Sequence, residues 1–341
     1  MKNNDVPLQL ELHPGSHCGP LDCTFCYGKS QKLSDGTLDI TDYSRLFDDL
    51  MECSPFIEIS GIRSDPLSYP AFSSLVHLVK ERKLNFGIHT KAFFLTDEII
   101  NELNGTSSEG SYITISINSA SESTYNNLHG LNFDNDIYEK LKNKIKRLYI
   151  AKTQKDSKLK INIAYLLMRN NSSIEQIEEF INTFEKYVDS IKFSIPQVPN
   201  IAKPLNYLNQ EEISRIFEDL EKWPNGKIAM LNFRKSQHNN KFQYCWAQRF
   251  NATIDKAGNV FPCPQVALRD YQQLIMGNIK EQSFWQIWHS NNRLKLQNMT
   301  VSDMQCRVCD RKDENININL NRMMDNDRYI LNVKANKTAG K

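Results

Sequence analysis

The stretch His17-Cys18-Gly19-Pro20-Leu21-Asp22-Cys23-Thr24-Phe25-Cys26-Tyr27-Gly28 decides how the rest of the chain is read. Cys18, Cys23 and Cys26 fall in one short loop. A loop this compact wraps three corners of a cubane cluster, because cysteine thiolates are the standard ligands of iron-sulfur centres. It leaves a fourth metal position without a cysteine, and an open position is where a substrate or cofactor enters the coordination sphere. Zinc is the alternative that a thiolate loop leaves open.

The flanking sequence places this loop at a strand end. Leu8 to Leu12 reads as a strand running into it. Further strands are expected at Phe56 to Ser60, Asn85 to Thr90, Tyr112 to Asn118, Lys160 to Met168 and Ile191 to Pro196, all short and rich in β-branched or aromatic residues. Helices are expected at Asp42 to Cys53, Ala71 to Arg82, Asp97 to Leu103, Ile137 to Ala151, Ile174 to Val188 and Asn209 to Lys222. This alternation is the pattern of α/β units around a parallel sheet, here a partial (β/α)6 TIM-like barrel. Reactive groups in such barrels gather at the C-terminal strand ends, where the cysteine loop lies. Trp223-Pro224-Asn225-Gly226 is a strong breaker. The barrel is therefore expected over 1–225, a smaller unit over 226–315 and a polar tail over 316–341.

A chain of 341 residues with 40% apolar residues and a formal charge of +2 has enough core for one medium and one small unit. It has no run of about 18 apolar residues, and Met1 to Pro7 lacks an apolar signal core. These features point to the cytoplasm, where eight cysteines argue for metal ligation or catalysis rather than disulfides. The basic stretch Lys140 to Lys160 reads as a solvated helix face, since no aromatic residues interleave at base-stacking spacing. Neither nucleic acid nor a membrane is an expected partner.

A second cysteine set lies downstream: Cys245, Cys263, and the pair Cys306 and Cys309. Asn251 to Ile254, a turn at Lys256 to Asn259, and Val260-Phe261 read as a β-hairpin that brings Cys245 toward Cys263. Four thiolates on one centre suit structural zinc as well as an iron-sulfur cluster. Cys53 is left over. It ends the first expected helix, on the outer ring of the barrel, and reads as a small buried hydrophobe.

The first loop resembles the motif of the radical S-adenosylmethionine superfamily, C-x3-C-x2-C after the first barrel strand with an aromatic residue before the last cysteine. Here the spacing is C-x4-C-x2-C, with Phe25 in the aromatic position. The resemblance implies that Cys18, Cys23 and Cys26 hold a 4Fe-4S cluster whose fourth iron is chelated by S-adenosyl-L-methionine, with Phe25 near the adenine. Ser60 to Leu67 is similar to the family's S-G-G-E-P-L segment, which assigns Gly61 and Asp65 to the cofactor. Ser116 and Asn118, at the end of the fourth strand, are candidates for its ribose or carboxylate. The hairpin, Gly277-Asn278-Ile279, the Trp-containing helix Ser283 to His289 and the final C-x2-C look like the auxiliary-cluster region of SPASM and twitch enzymes. This implies a second, fully ligated 4Fe-4S cluster on Cys245, Cys263, Cys306 and Cys309, in the shorter twitch form.

The resemblance implies reductive cleavage of S-adenosylmethionine to a 5′-deoxyadenosyl radical that abstracts a substrate hydrogen. The electron donor would be a flavodoxin or ferredoxin. A fully ligated second cluster suits electron transfer, which favours net oxidation, a cross-link or a dehydrogenation, over epimerisation quenched by a thiol. A ribosomal peptide is the favoured substrate class, an aminosugar or other small metabolite the alternative. Only seventeen residues precede Cys18, so a separate leader-peptide-binding protein is an expected partner for a peptide substrate. From another class, a non-catalytic iron-sulfur or zinc binding module would use the same cysteines.

Overall fold

The computed structural model describes residues 5–26, 28–131, 136–196, 207–223, 226–230, 242–306, 309 and 312–324. Strands and helices alternate along the first part of the chain: β1 (Gln9–His13), α1 (Ile40–Leu50), β2 (Phe56–Ile59), α2 (Phe72–Glu81), β3 (Phe86–Thr90), α3 (Asp97–Leu103) and β4 (Tyr112–Ser116). Then come α4 (Glu122–Leu128), α5 (Ile137–Gln154), β5 (Lys160–Leu166), α6 (Ile174–Phe184), β6 (Ser190–Ser194), α7 (Gln210–Glu221) and β7 (Ile228–Met230). The strands from β1 to β7 are neighbours in sequence order and all parallel. Right-handed crossovers between consecutive parallel strands put every helix on the same face. The fold is an α/β half-barrel, as the alternation implies.

The strand sequences fit that asymmetry. Leu10, Leu12, Ile57, Ile59, Ile88, Ile113, Ile115, Ile161, Ile163, Ile191 and Phe193 are fully buried under the helices. The alternate residues, pointing to the inner face by the period of two, are polar: Glu11, Glu58, His89, Thr114, Asn162 and Lys192. Glu11 stands beside Glu58 in register, and Thr114 beside Asn162.

The chain then returns to the other edge of the sheet. Strand β8 (Asn251–Asp255) pairs in parallel with β1, matching Leu10 to Ala252 and His13 to Asp255. β9 (Asn259–Phe261) folds back antiparallel on β8, and β10 (Gly277–Asn278) pairs with β9. The expected hairpin is present, and it extends the same sheet. Helices α8 (Phe284–Trp288) and α9 (Asn291–Gln297) follow, with Ser283 capping the first through a capping box.

The differences from the sequence reading have local causes. β4 stops at Ser116 because Asn118 turns the chain with φ +62. α1 starts earlier than expected because Asp39 and Asp42 form a capping box. Helix α4 had no expected counterpart. Its start is set by Ser121, whose side chain accepts from Thr124 N. Residues 312–324 are also helical rather than an open tail. Pro224 and Asn225 of the expected breaker lie outside the described residues.

Candidate functional site

The three-cysteine loop is held at the C-terminal ends of β1 to β4 by backbone contacts. On one side, Asp65 N donates to His17 O at 3.0 Å, and Ser68 Oγ accepts from Ser16 N at 3.0 Å. On the other, Asp22 N donates to His129 O and Thr24 N to Leu128 O, both at 2.9 Å, so the end of α4 clamps the loop. Gly130 makes this approach possible. Its φ is +67, and a Cβ there would sit 2.6 Å from Asp22 O. His17 caps the entry turn, its Nδ1 accepting from Gly19 N at 3.0 Å.

Cys23 is buried, and Cys18 and Cys26 are partly so. Burial pushes the Cys18 thiol up to about 12, aided by Asp65, Cys23 and Cys26. Burial likewise raises Cys23, against the pull of Lys91. These thiols sense one another's charge without closing on a common centre: among the described residues no three His, Cys, Asp or Glu side chains stand together as a ready metal-ligand group. Phe25 packs edge-on against His129 at 5.6 Å, and Lys91 Nζ lies 5.0 Å from its ring centroid.

Asp65 is buried, and its carboxylate is already engaged. It accepts from Thr90 Oγ1 at 2.8 Å, Lys91 N at 2.7 Å and Leu67 N at 3.0 Å. Burial raises it above the ordinary carboxylate range even so. It fixes the β3 end and hence Lys91. Gly61 sits in a turn with no room for a side chain, since a Cβ would meet Ser64 O at 2.5 Å. Arg63, in place of the family's acidic residue, reaches back to Gln31 O at 2.9 Å and secures the segment after Cys26. Ser116 ends β4, half-buried. Asn118 is buried, its Oδ1 accepting from Leu166 N at 3.0 Å while its Nδ2 has no partner.

Asn118 Nδ2 is not alone. Ser64 Oγ, Tyr125 OH and His129 Nε2 are also buried without hydrogen-bond partners. Buried polar groups are nearly always paired, so orphans gathered at these strand ends mark a place shaped for a group that completes them. Three soft thiols beside them suit an iron-sulfur centre, and the polar orphans suit a polar cofactor.

The distal cysteines lie near one another, likewise without closing on a common centre among the described residues. Cys263 follows β9, and its thiol is raised by burial and then by Cys306, Cys245, Asp313 and Cys309. Cys306 is pushed up to about 12, by burial first and Cys245 next. Asn317 Oδ1 accepts from Trp246 N and Ala247 N at 2.6 and 2.9 Å, and its Nδ2 lies 3.6 Å from Cys245 Sγ. Trp246 Nε1, Gln248 Oε1 and Gln265 Oε1 are buried orphans next to Cys245 and Cys263 in the chain. Because β9 runs antiparallel to β8, with Phe261 opposite Thr253, Cys263 lies toward the N-terminal strand ends. The two cysteine sets therefore occupy opposite ends of the sheet.

Between them the inner face carries a polar network whose His13 and His89 read from the sequence as loop or packing residues and whose Glu11, Glu58, Tyr112 and Lys192 were not singled out. Glu58 accepts from Tyr112 OH at 2.8 Å and pairs with His89 Nε2 at 2.8 Å. His13 Nε2 pairs with Glu11 at 3.0 Å. Lys192 Nζ stands 5.2 Å from the Tyr112 ring centroid. The signal was a charged residue in mid-strand between apolar neighbours. Cys53 follows α1 with its Sγ 3.5 Å from Leu50 O, just before β2 and so away from the C-terminal strand ends, and it is partly rather than fully buried.

Residues 245–310 match the SPASM family, an iron-sulfur cluster-binding domain, over a span that contains all four distal cysteines. The chain is 22% identical over 321 residues to the tungsten-containing aldehyde ferredoxin oxidoreductase cofactor-modifying protein of Pyrococcus furiosus, covering 89% of this chain and 87% of that one. Its fold is similar to SuiB of Streptococcus suis bound to S-adenosylmethionine: TM-score 0.63, 17% identity, covering 84% of this chain and 66% of SuiB. It is also similar to anSMEcpe with bound AdoMet and Cp18Cys peptide: TM-score 0.60, 15% identity, covering 86% and 83%. No helix among the described residues is long and apolar enough to cross a membrane. The chain thus joins an α/β half-barrel similar in fold to SuiB and anSMEcpe to a segment, residues 245–310, that matches the SPASM iron-sulfur cluster-binding domain.

Proposed function

We propose that this protein oxidatively modifies a ribosomal peptide, by cross-linking or dehydrogenation, through a radical generated at the three-cysteine loop. Cys18, Cys23 and Cys26 would hold a 4Fe-4S cluster, and Cys245, Cys263, Cys306 and Cys309 a second one. When bound, the first cluster with S-adenosylmethionine supplies a hydrogen-abstracting radical. The single observation that carries this reading is the docking of the cysteine loop at the strand ends, against an α4 whose Tyr125 hydroxyl and His129 Nε2 are buried without partners.

In this reading residues 1–225 perform the radical chemistry and 226–315 hold the second cluster. Residues 316–341 form a polar tail whose first part, through Asn317 and Asn321, supports the Cys245 turn. Phe25 and Lys91 form the platform for the adenine, with Asp65 positioning Lys91. Gly61, Ser116 and Asn118 border the rest of the cofactor. Oxidation of a substrate also releases a proton. His89, paired through Nε2 to Glu58 and half-exposed on the inner face, is the group placed to accept it.

A peptide substrate draws support from SuiB, which has also been solved with its precursor peptide SuiA, and from anSMEcpe, solved with a peptide. A small metabolite is the second reading, favoured by the cofactor-modifying relative. A flavodoxin or ferredoxin would supply the electron in the cytoplasm, and a separate protein would present a leader peptide. The test is anaerobic reconstitution with iron and sulfide, then reduction with S-adenosylmethionine. About eight irons per chain, two cubanes, and release of 5′-deoxyadenosine are expected. Replacing Cys18, Cys23 and Cys26 by Ala is expected to halve the iron and abolish release. About four irons with one zinc in the unaltered protein would overturn the second cluster. No 5′-deoxyadenosine from the loaded protein would leave only a binding module.

A further inference from the structure

We infer that Asn317 is an outer hydrogen-bond donor of the second cysteine set: its side-chain amide gives an N–H to the Cys245 sulfur and raises the reduction potential of the centre that this sulfur ligates. The inference rests on the reading of Cys245 as a cluster ligand. It gives a role to a residue that lies beyond the SPASM match at 245–310.

Residues 312–324 form a helix of unusual polarity. A surface helix ordinarily buries an apolar stripe, whereas the buried residues of this one are Asp313, Glu314 and Asn317. Asp313, Asn317 and Asn321 are spaced by four and so share one face. The outer two of them tie that face to the segment around Cys245. Asp313 Oδ1 accepts from Asn251 Nδ2 at 3.1 Å, and Asn321 Nδ2 donates to Tyr244 O at 3.1 Å. Asn317 lies between these anchors, fully buried.

Its one side chain grips three consecutive residues. Oδ1 accepts from Trp246 N at 2.6 Å and Ala247 N at 2.9 Å, and Nδ2 stands 3.6 Å from Cys245 Sγ. The two backbone donors fix which end of the amide is which, because an NH2 group facing two N–H groups would have no acceptor. The nitrogen is therefore the end turned to the sulfur. Sulfur is larger than oxygen, and an N–H···S contact is longer than an N–H···O one by that difference in radius. Two unpartnered groups lie close by in the chain, the donor Trp246 Nε1 and the acceptor Gln248 Oε1. Neither is bonded to anything, so neither takes the place of the amide or of the sulfur in this contact. Burial opposes a charged Cys245 sulfur, while the backbone N–H groups of Gln248 and Ala247 favour one along with Asn317. Asn317 is the side chain among these donors, the one that a substitution removes.

The residue type fits the role. Leucine, of similar size, would leave two backbone N–H groups without their acceptor, which is costly where they are buried. Aspartate would accept both bonds but would set a carboxylate oxygen against the sulfur. What the amide adds is the donor. Among the described residues that donor has no acceptor other than the sulfur, and a protonated thiol accepts weakly. A ligating thiolate is charged and accepts a stronger bond. Hydrogen bonds to ligand sulfurs stabilise the electron-rich reduced state, and outer partners of this kind tune metal centres. A raised potential suits a centre that takes an electron from substrate.

The test compares full-length wild type with Asn317→Leu, each as apoprotein and after anaerobic reconstitution. The second cluster is recognised as the electron paramagnetic resonance signal of the reduced protein that S-adenosylmethionine leaves unchanged. Wild type carrying nitrogen-15 only in its asparagine side-chain amides is expected to show a nitrogen coupling on that signal, and the variant to lack it. The variant's second cluster is expected at a more negative potential, with the first cluster unmoved. Its apoprotein is expected to melt lower, since Trp246 N and Ala247 N lose their acceptor. A wild type without the coupling would overturn the inference whether or not the variant folds and loads. A loaded variant of unchanged potential would overturn it too, reducing Asn317 to a support of the turn. So would an apoprotein that melts as wild type does, because the contacts that orient the amide would then be absent. In all three cases the cluster assignment stands. Zinc at the distal cysteines, with no signal unaffected by S-adenosylmethionine, would instead sink the reading of a second cluster, and this inference with it.

Discussion

Arg293→Met is expected to lower the melting temperature by about 4 °C, through the attachment of the C-terminal region to the start of β1. The Arg293 side chain is 2% exposed. Its Nη1 donates to Trp288 O at 2.9 Å and its Nη2 to Arg249 O at 3.3 Å, while both reach the Asp5 carboxylate, at 2.7 and 3.1 Å. The guanidinium also lies 3.5 Å from the Trp288 ring centroid. Methionine keeps most of the stem's packing but none of these bonds. Two lost carbonyl bonds at roughly 1 kcal/mol each and a stack of about 1 kcal/mol sum to roughly 3 kcal/mol. The Asp5 pair adds little, because its carboxylate is 45% exposed and screened by solvent. Unfolding entropy of about 2.1 cal/mol/K per residue over 341 residues gives roughly 0.7 kcal/mol per degree, hence the 4 °C.

The ion pair also gives the effect a pH dependence. The hydrogen bond from Arg293 holds Asp5 below its ordinary value. A depressed folded pKa stabilises above the unfolded value, about 3.9, and is lost as pH falls through the folded one. The gap between wild type and variant is therefore expected to be flat from neutral pH to about pH 5 and to narrow slightly below pH 4. Thermal unfolding followed by circular dichroism at several pH values measures both quantities. A shift under about 1 °C at neutral pH, or a gap that widens in acid, would refute the reasoning.

Ala at both Cys306 and Cys309 is expected to leave 5′-deoxyadenosine formation in place while slowing product formation at least tenfold, once circular dichroism has confirmed that the variant folds. Normal product at the normal rate would remove the electron-transfer role of the second set. His89→Gln is expected to raise the ratio of 5′-deoxyadenosine to product several-fold. An unchanged ratio would assign the proton to another group.

The half-barrel and both cysteine sets were legible because each rests on a local signal. Alternating apolar residues mark strands such as Gln9–His13 and Tyr112–Ser116, and thiols at short spacing mark a metal site. The hairpin was legible for the same reason. Its attachment to β1 was not, since Gln9 meeting Asn251 is a contact across most of the chain. Helix α4 was missed because a seven-residue helix with two buried side chains, Tyr125 and Leu128, offers too little periodicity. With it went the clamp on the loop. Asp65 could be found from its segment, but its engagement with Thr90 and Lys91 depends on how β3 lies against the turn after β2.

The continuous sheet has a consequence for the path an electron takes. From the level of Cys263 to the end of β1 is about four residues, or roughly 13 Å of strand at ~3.3 Å per residue, measured along the β8 and β9 register. A molecule lying along Glu58, His89 and Lys192 would sit between the proposed oxidant at one end of that span and the proposed electron sink at the other. The molecule being oxidised then bridges the two centres. In the proposed reading, an electron leaving it would travel along the strands, away from the end where the radical is made.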